Sequence, residues 1–149
     1  MQIIIDTREQ RPFNFEKFVV QVQTGTLQTG DYSLVGYEDR VAIERKGLDD
    51  LISCFMGGNR DRFERELSRA QGMDLFVVVV EAGLMDIARG RYKSKMQPHA
   101  ALQSMVTFFV RYSVPFMCCG SRDGTEYMTY SLLAKYNYEL EKQGAKNAV

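Results

Sequence analysis

Asp31, Glu44 and Lys46 are the residues whose types and spacing best suit chemistry. They lie in "GDYSLVGYEDRVAIERKGLDDL", Gly30 to Leu51, where an apolar run ends in Glu44, Arg45 and Lys46, with Asp49 and Asp50 just after it. Side chains alternate across a strand, so Val41, Ile43 and Arg45 face one way while Ala42, Glu44 and Lys46 face the other. Glu44 and Lys46 then share a face, roughly 6.6 Å apart along the strand, with a small residue behind them. Asp31 starts the preceding strand, and a turn at Gly36 to Asp39 brings it to the strand end that carries Glu44. Two carboxylates and an amine at one sheet edge suit a hard divalent cation such as Mg²⁺, which takes oxygen ligands and keeps several waters. Such an ion acidifies water and shields a phosphate from an approaching nucleophile, and a lysine can orient that water or stabilise charge developing on the phosphate. As a bare pattern this is weak, because a solvated strand end reads the same way.

The elements that must position these residues follow from the periodicity. "QIIID" is a short strand ending in Asp6, and "FVVQVQT" at Phe18 to Thr24 reads as a second. Tyr32 to Val35 and Arg40 to Lys46 form the hairpin. "LDDLISCF" is a short helix with acids in its first turn, where they suit the helix dipole. Asn59 is the expected N-cap of a helix through Gln71 with Phe63, Leu67 and Ala70 on one face. "LFVVVVEA" has no alternation and reads as the middle strand of a sheet covered on both faces. Pro98 opens a helix whose Leu102, Met105, Val106 and Phe109 follow the apolar stripe, "VPFMCC" is a strand, and Thr125 to about Lys142 is a final helix. Interleaved strands and helices predict an α/β fold, a mixed central sheet flanked by helices on both faces.

At 149 residues, 45% hydrophobic and 26% charged, the chain suits one domain. The longest apolar run is too short to cross a bilayer and no leader pattern opens the chain, so an intracellular protein of cytoplasm or nucleoid is expected. Three cysteines and a single His99 support neither a disulfide framework nor a zinc site. Net charge is zero, but residues 1–86 hold 15 acids and 10 bases while residues 87–121 hold five bases and no acid. Acids for a cation beside bases for a phosphate backbone are what a metal-dependent enzyme acting on nucleic acid needs.

Asp followed by Glu-x-Lys is the minimal signature of restriction-endonuclease-like nucleases, and the flanking residues sharpen it. Gly30, Asp31, Glu44, Arg45, Lys46 and Asp50 resemble the Gly-Asp, Glu-Arg-Lys, three residues, Asp signature of the XPF-type structure-specific endonucleases. "IIIDTREQ", with Asp6, Arg8 and Glu9, is similar to that family's first strand, and "RDRFERELSRA" to its arginine-containing helix. The resemblance implies a restriction-endonuclease-like nuclease domain over residues 1–149. It implies Asp31 and Glu44 as metal ligands flanked by Asp6, with Mg²⁺ as the ion and Mn²⁺ able to substitute. Lys46 would act on the attacking water, giving Asp31, Glu44 and Lys46 as the catalytic set. Arg8, Glu9, Arg45 and Asp50 would support the site, Arg45 by pairing with Asp49 or Asp50 on the face away from Glu44.

The implied activity is endonucleolytic hydrolysis of DNA, with branched or flapped DNA as the substrate. A non-catalytic DNA-binding scaffold of the same fold, or a nuclease acting on RNA or single strands, is the competing reading. Arg62 is the helix arginine expected at DNA; Arg60, Arg65 and Arg69 fit an exposed helix laced by ion pairs. "RGRYKSK" supplies Arg89, Arg91, Lys93 and Lys95 as a DNA-contacting loop, with Tyr92 available to stack on a base. No helix-hairpin-helix signature follows the motif, so a second copy or a partner protein is expected to add grip. Tyr127, Tyr130, Tyr136 and Tyr138 on the final helix offer a surface for it.

Overall fold

The computed structural model describes residues 1–148. The sheet has six strands in the order β2-β1-β3-β4-β5-β6: β1 (Gln2–Asp6), β2 (Gln21–Gly25), β3 (Tyr32–Leu34), β4 (Val41–Lys46), β5 (Leu75–Val80) and β6 (Phe116–Cys118). Helices α1 (Leu48–Ser53), α2 (Gly57–Arg69), α3 (Leu84–Ala88) and α4 (Pro98–Tyr112) link the strands, and α5 (Arg122–Asn147) closes the chain. β3 runs antiparallel to β1 and β4; the other pairings are parallel. The sheet is therefore mixed, as the interleaving predicts, and the C-terminal ends of β1, β4 and β5 meet on one edge.

Pleat alternation splits the core in two. Ala42, Phe76, Val78 and Val80 pack with Leu51, Phe63, Leu67 and Phe108 beneath α1, α2 and α4. Val41, Ile43, Val77 and Val79 turn the other way, onto Ile3, Tyr32, Phe15 and Leu133 beneath α5. Burying one such aliphatic side chain contributes roughly 1.5–3 kcal/mol, so β5, with both rows enclosed, anchors both layers. It lies beside edge strand β6, one place off the middle the apolar run suggested.

Several boundaries and faces differ from the periodicity reading. α2 begins at Gly57 with Met56 as its N-cap, which puts Asn59 inside the first turn. α4 buries Ala101, Ser104, Met105 and Phe108 and leaves Val106 and Phe109 about half exposed. Phe108 takes the inward face, edge-on to Phe63 of α2, and Ser104 accepts a hydrogen bond from Arg60 at 2.9 Å. β2 starts at Gln21, and α5 extends beyond both expected ends. The short α3 carries too few residues to show a period; its start is fixed by Asp86, whose Oδ2 accepts the Gly83 N–H at 2.8 Å.

No helix among the described residues is long and apolar enough to cross a membrane. The three cysteines are free and half-buried.

Candidate active site

Gly30 is where the site begins. Its φ is +83°, and a Cβ added there would lie 2.7 Å from the Ala42 Cβ; only glycine crosses β4 this closely. The crossing lets the Asp31 N–H donate to the Ile43 carbonyl and the Asp6 N–H to the Asp31 carbonyl, both at 2.8 Å. Asp31 is thereby stitched between β1 and β4. Its Oδ2 accepts the Arg45 backbone N–H at 2.8 Å.

Glu44 and Lys46 share the opposite pleat face from Arg45, and Lys46 Nζ sits 3.5 Å from Glu44 Oε1 and 5.3 Å from the Phe63 ring centre. Asp31, Glu44, Lys46 and Asp50 line one open cavity of about 690 Å³, with Arg8, Glu9 and Gln10 on one wall and Asn59, Arg62, Arg65, Glu66 and Arg69 of α2 on the other. The α2 residues recur at helical spacing, so one stripe faces the cavity, Leu67 faces the core and Phe63 borders both.

The electrostatics show a site short of positive charge. Burial pushes the Asp31 carboxyl up to about 6, against the pull of the Arg45 N–H, and nearby Glu9 and Glu66 add to the rise. Glu44 is driven well above the ordinary carboxylate range, by burial first, then by the neighbouring charges of Asp31 and Glu66. Burial alone would lower Lys46, but Glu44 and its neighbours outweigh that and hold the amine above its usual range. One ammonium thus serves a nest of carboxylates.

Arg45 points to the α5 side, as alternation requires, but its partners are not Asp49 or Asp50. It grips Glu9 through two nitrogens, at 2.6 and 2.8 Å, and reaches Glu81 at 3.2 Å. Glu81 also accepts from Arg122 at 3.0 Å, and Arg122 donates to the Arg11 and Pro12 carbonyls. Glu9, Arg45 and Glu81 are nearly enclosed, so the network ties together the ends of β1, β4 and β5 and the first turn of α5. Asp49 instead accepts the Lys93 N–H at 2.9 Å.

Other expected site residues lie elsewhere. Asp6 is buried, with Oδ2 on Arg8 Nε at 2.9 Å and Oδ1 on the Leu27 N–H at 3.4 Å; it is not part of the cavity lining. Arg89, Arg91, Lys93 and Lys95 are exposed along the 89–97 loop, outside the cavity, and Arg91 pairs with Asp86 at 2.8 Å. Tyr92 packs against the core and donates to the Met96 carbonyl at 2.6 Å, so its ring is held against the protein rather than presented to a base. Tyr130 stacks on Phe18 and Tyr136 meets Tyr37 edge-on, leaving Tyr127 and Tyr138 exposed on α5. Glu66 and Glu81 were missed by sequence reasoning. Glu66 carried a signal, its place on the stripe with Asn59, Arg62 and Arg69; Glu81 carried none beyond closing a strand.

Among the described residues no group of three or more His, Cys, Asp or Glu side chains forms a ready metal cage. The donor set still fits Mg²⁺, which is bound by one or two carboxylates plus waters and substrate phosphates. Asp31 and Glu44 are the two carboxylates that could hold such an ion, and the burial that opposes their charge is what an added cation would relieve.

A mixed sheet flanked by helices, with Asp and Glu-x-Lys meeting at the strand ends, defines the restriction-endonuclease-like class. The chain belongs to the ERCC4 domain family, whose model matches residues 5–132, a family of nucleases acting on DNA. It is similar in structure to XPF from Aeropyrum pernix, with a TM-score of 0.74 at 24% identity, covering 97% of this chain and 69% of that one. A second solved structure, XPF from Aeropyrum pernix in complex with DNA, matches with a TM-score of 0.72 at 25% identity, covering 93% of this chain and 66% of that one. The chain thus spans about two thirds of the length of these relatives. No curated protein sequence matches it significantly.

Proposed function

We infer that this chain is a metal-dependent DNA endonuclease, a single nuclease domain that hydrolyses phosphodiester bonds at branched or flapped DNA. The observation that carries the reading is the meeting of Asp31, Glu44 and Lys46 in one cavity beneath the arginines of α2. Asp31 and Glu44 would hold Mg²⁺, or Mn²⁺ in its place. When bound, the ion would supply neutralisation of the phosphate charge and a more acidic water.

The chain's own groups do the rest. Lys46 stays protonated, held up by Glu44, so it acts as a donor that orients the attacking water and stabilises charge on the phosphate rather than as a proton acceptor. The Arg45 N–H fixes one Asp31 oxygen and leaves the other to the cavity. Asp6 supports the site through Arg8 and Leu27 rather than as a ligand, Asp50 lines the same cavity, and Glu9 holds Arg45. Arg62, with the loop cations Arg89, Arg91, Lys93 and Lys95, contacts the DNA backbone. A second copy or a partner protein adds grip, and the protein works inside the cell, on cytoplasmic or nucleoid DNA.

The test is cleavage of labelled linear, flapped and four-way DNA, and of matched RNA, with Mg²⁺, Mn²⁺ or EDTA, beside Asp31→Asn and Glu44→Gln. Metal-dependent cutting lost in both variants supports the reading. DNA binding without cutting under any condition would replace it with the scaffold role, and preferential cutting of RNA would replace the substrate.

A further inference from the structure

Between α3 and α4 the basic loop is tied down along its length. Gly90 turns at φ +65°, where an added Cβ would lie 3.3 Å from Pro98 Cγ. The Arg91 N–H donates to the Asp86 carbonyl at 2.9 Å and its guanidinium pairs with the Asp86 carboxylate at 2.8 Å. Tyr92 packs against the core and donates to the Met96 carbonyl, and the Met96 N–H donates to Ser94 Oγ at 3.1 Å. One tie comes from another element: Asp49 of α1 accepts the Lys93 N–H at 2.9 Å, across 44 residues of sequence.

That tie decides where the loop's cations stand. Arg89, Lys93 and Lys95 are exposed and form no ion pair among the described residues. Asp50 and Ser53 of α1 line the catalytic cavity, while Asp49 on the same helix meets the loop, so α1 has the cavity along one side and the loop along another. A helix with its side chains is about 10–12 Å across, and a major groove is about 12 Å wide. One duplex is therefore large enough to touch both.

The loop's chemistry selects among nucleic acids. Grips on single strands pair cations with exposed rings on which bases stack, and the loop's one ring, Tyr92, is turned against the core. Bare cations suit a phosphate backbone, and cations held in place suit the regular phosphates of a duplex. Asp49 runs against this by charge alone, since an exposed acid repels DNA. Its bond to the Lys93 N–H is what gives it a use there.

We propose that Asp49 is a positioning residue, holding the 89–97 loop so that Arg89, Lys93 and Lys95 take the backbone of a duplex arm that leaves the catalytic cavity across α1. The proposal rests on the nuclease reading above, and it adds which part of the substrate the loop holds.

Fluorescence anisotropy in EDTA, with the whole chain and a labelled blunt duplex over a range of salt, separates positioning from charge by sign. Acting only through its charge, Asp49 would weaken binding, and Asp49→Ala would tighten it; as the loop's anchor, its loss weakens binding roughly three- to tenfold. Asp49→Asn keeps an acceptor for the Lys93 N–H and removes the charge, so it binds at least as tightly as the parent. Amide exchange at Lys93 quickens in Asp49→Ala and not in Asp49→Asn. Lys93→Ala and Lys95→Ala leave α1 intact, and each lowers the slope of log affinity against log salt by about one. Unchanged or tighter binding by Asp49→Ala, or unchanged slopes in both lysine variants, overturns the loop's role and leaves the nuclease reading standing if Mg²⁺-dependent cutting persists. A protein that neither binds these DNAs nor cuts them overturns both.

Discussion

The Arg45 backbone N–H donates to Asp31 Oδ2 at 2.8 Å, while the Arg45 guanidinium is clamped by Glu9 and Glu81. One residue thus fixes a candidate ligand with its main chain and is itself fixed by its side chain. This explains why Asp31 keeps its place although burial opposes its charge.

That opposition predicts a pH-dependent cost. Asp31 titrates near 6 in the fold against an ordinary value of 3.8, so the folded state binds the extra proton between those pH values and stability falls as pH rises through that window. Asp31→Asn removes the charge, and the Asn Oδ1 can still accept the Arg45 N–H. In EDTA above pH 6 the variant is more stable than the parent by about 1–3 kcal/mol, and near pH 4 the gain vanishes. Denaturant melts across pH check this; a variant less stable at neutral pH contradicts it.

The Arg45 clamp predicts a loss that lysine does not repair. Arg45→Met leaves Glu9 and Glu81 enclosed with too little positive charge, at a cost of about 3–5 kcal/mol. Arg45→Lys restores charge but not the two-nitrogen grip on Glu9, and recovers only part of it. Pairing Arg45→Met with Glu9→Gln returns some stability, because one buried charge goes with its partner. Urea denaturation of the set gives the coupling directly.

Gly30 is expected to tolerate no side chain. Gly30→Ala meets both the positive φ and the Ala42 contact, and the two together cost about 2–4 kcal/mol. Adding Ala42→Gly relieves the contact alone, so the double variant melts between the parent and Gly30→Ala. Full recovery in the double variant would show that backbone conformation contributes nothing.

The α2 stripe predicts an electrostatic signature. Arg65 faces the cavity and forms no ion pair among the described residues, so Arg65→Ala lowers the slope of log affinity against log salt by about one on DNA. Arg60 packs over Phe108, 4.6 Å from its ring centre, and donates to Ser104. Arg60→Ala therefore lowers stability and leaves that slope unchanged.

Much of this protein is legible in its residues alone. Gly30, Asp31, Glu44 and Lys46 could be placed together because pleat alternation and a hairpin turn act over few residues, and the buried run of β5 states its own environment. Glu44 and Lys46 sharing a face follows from a period of two, whatever else the chain does. Tertiary structure alone decided what those periods cannot reach. Arg45 meets Glu9 and Glu81, each 36 residues away, only because β1 and β5 end on the edge where β4 ends. α4 turns Phe108 inward and Val106 outward, where Phe108 meets Phe55 and Phe63, residues far from it in sequence. Asp6 could be named from the list of acids, but that its oxygens accept from Arg8 and Leu27 could not. Local spacing fixes which face a side chain takes; which neighbour waits on that face depends on how distant strands and helices are laid side by side.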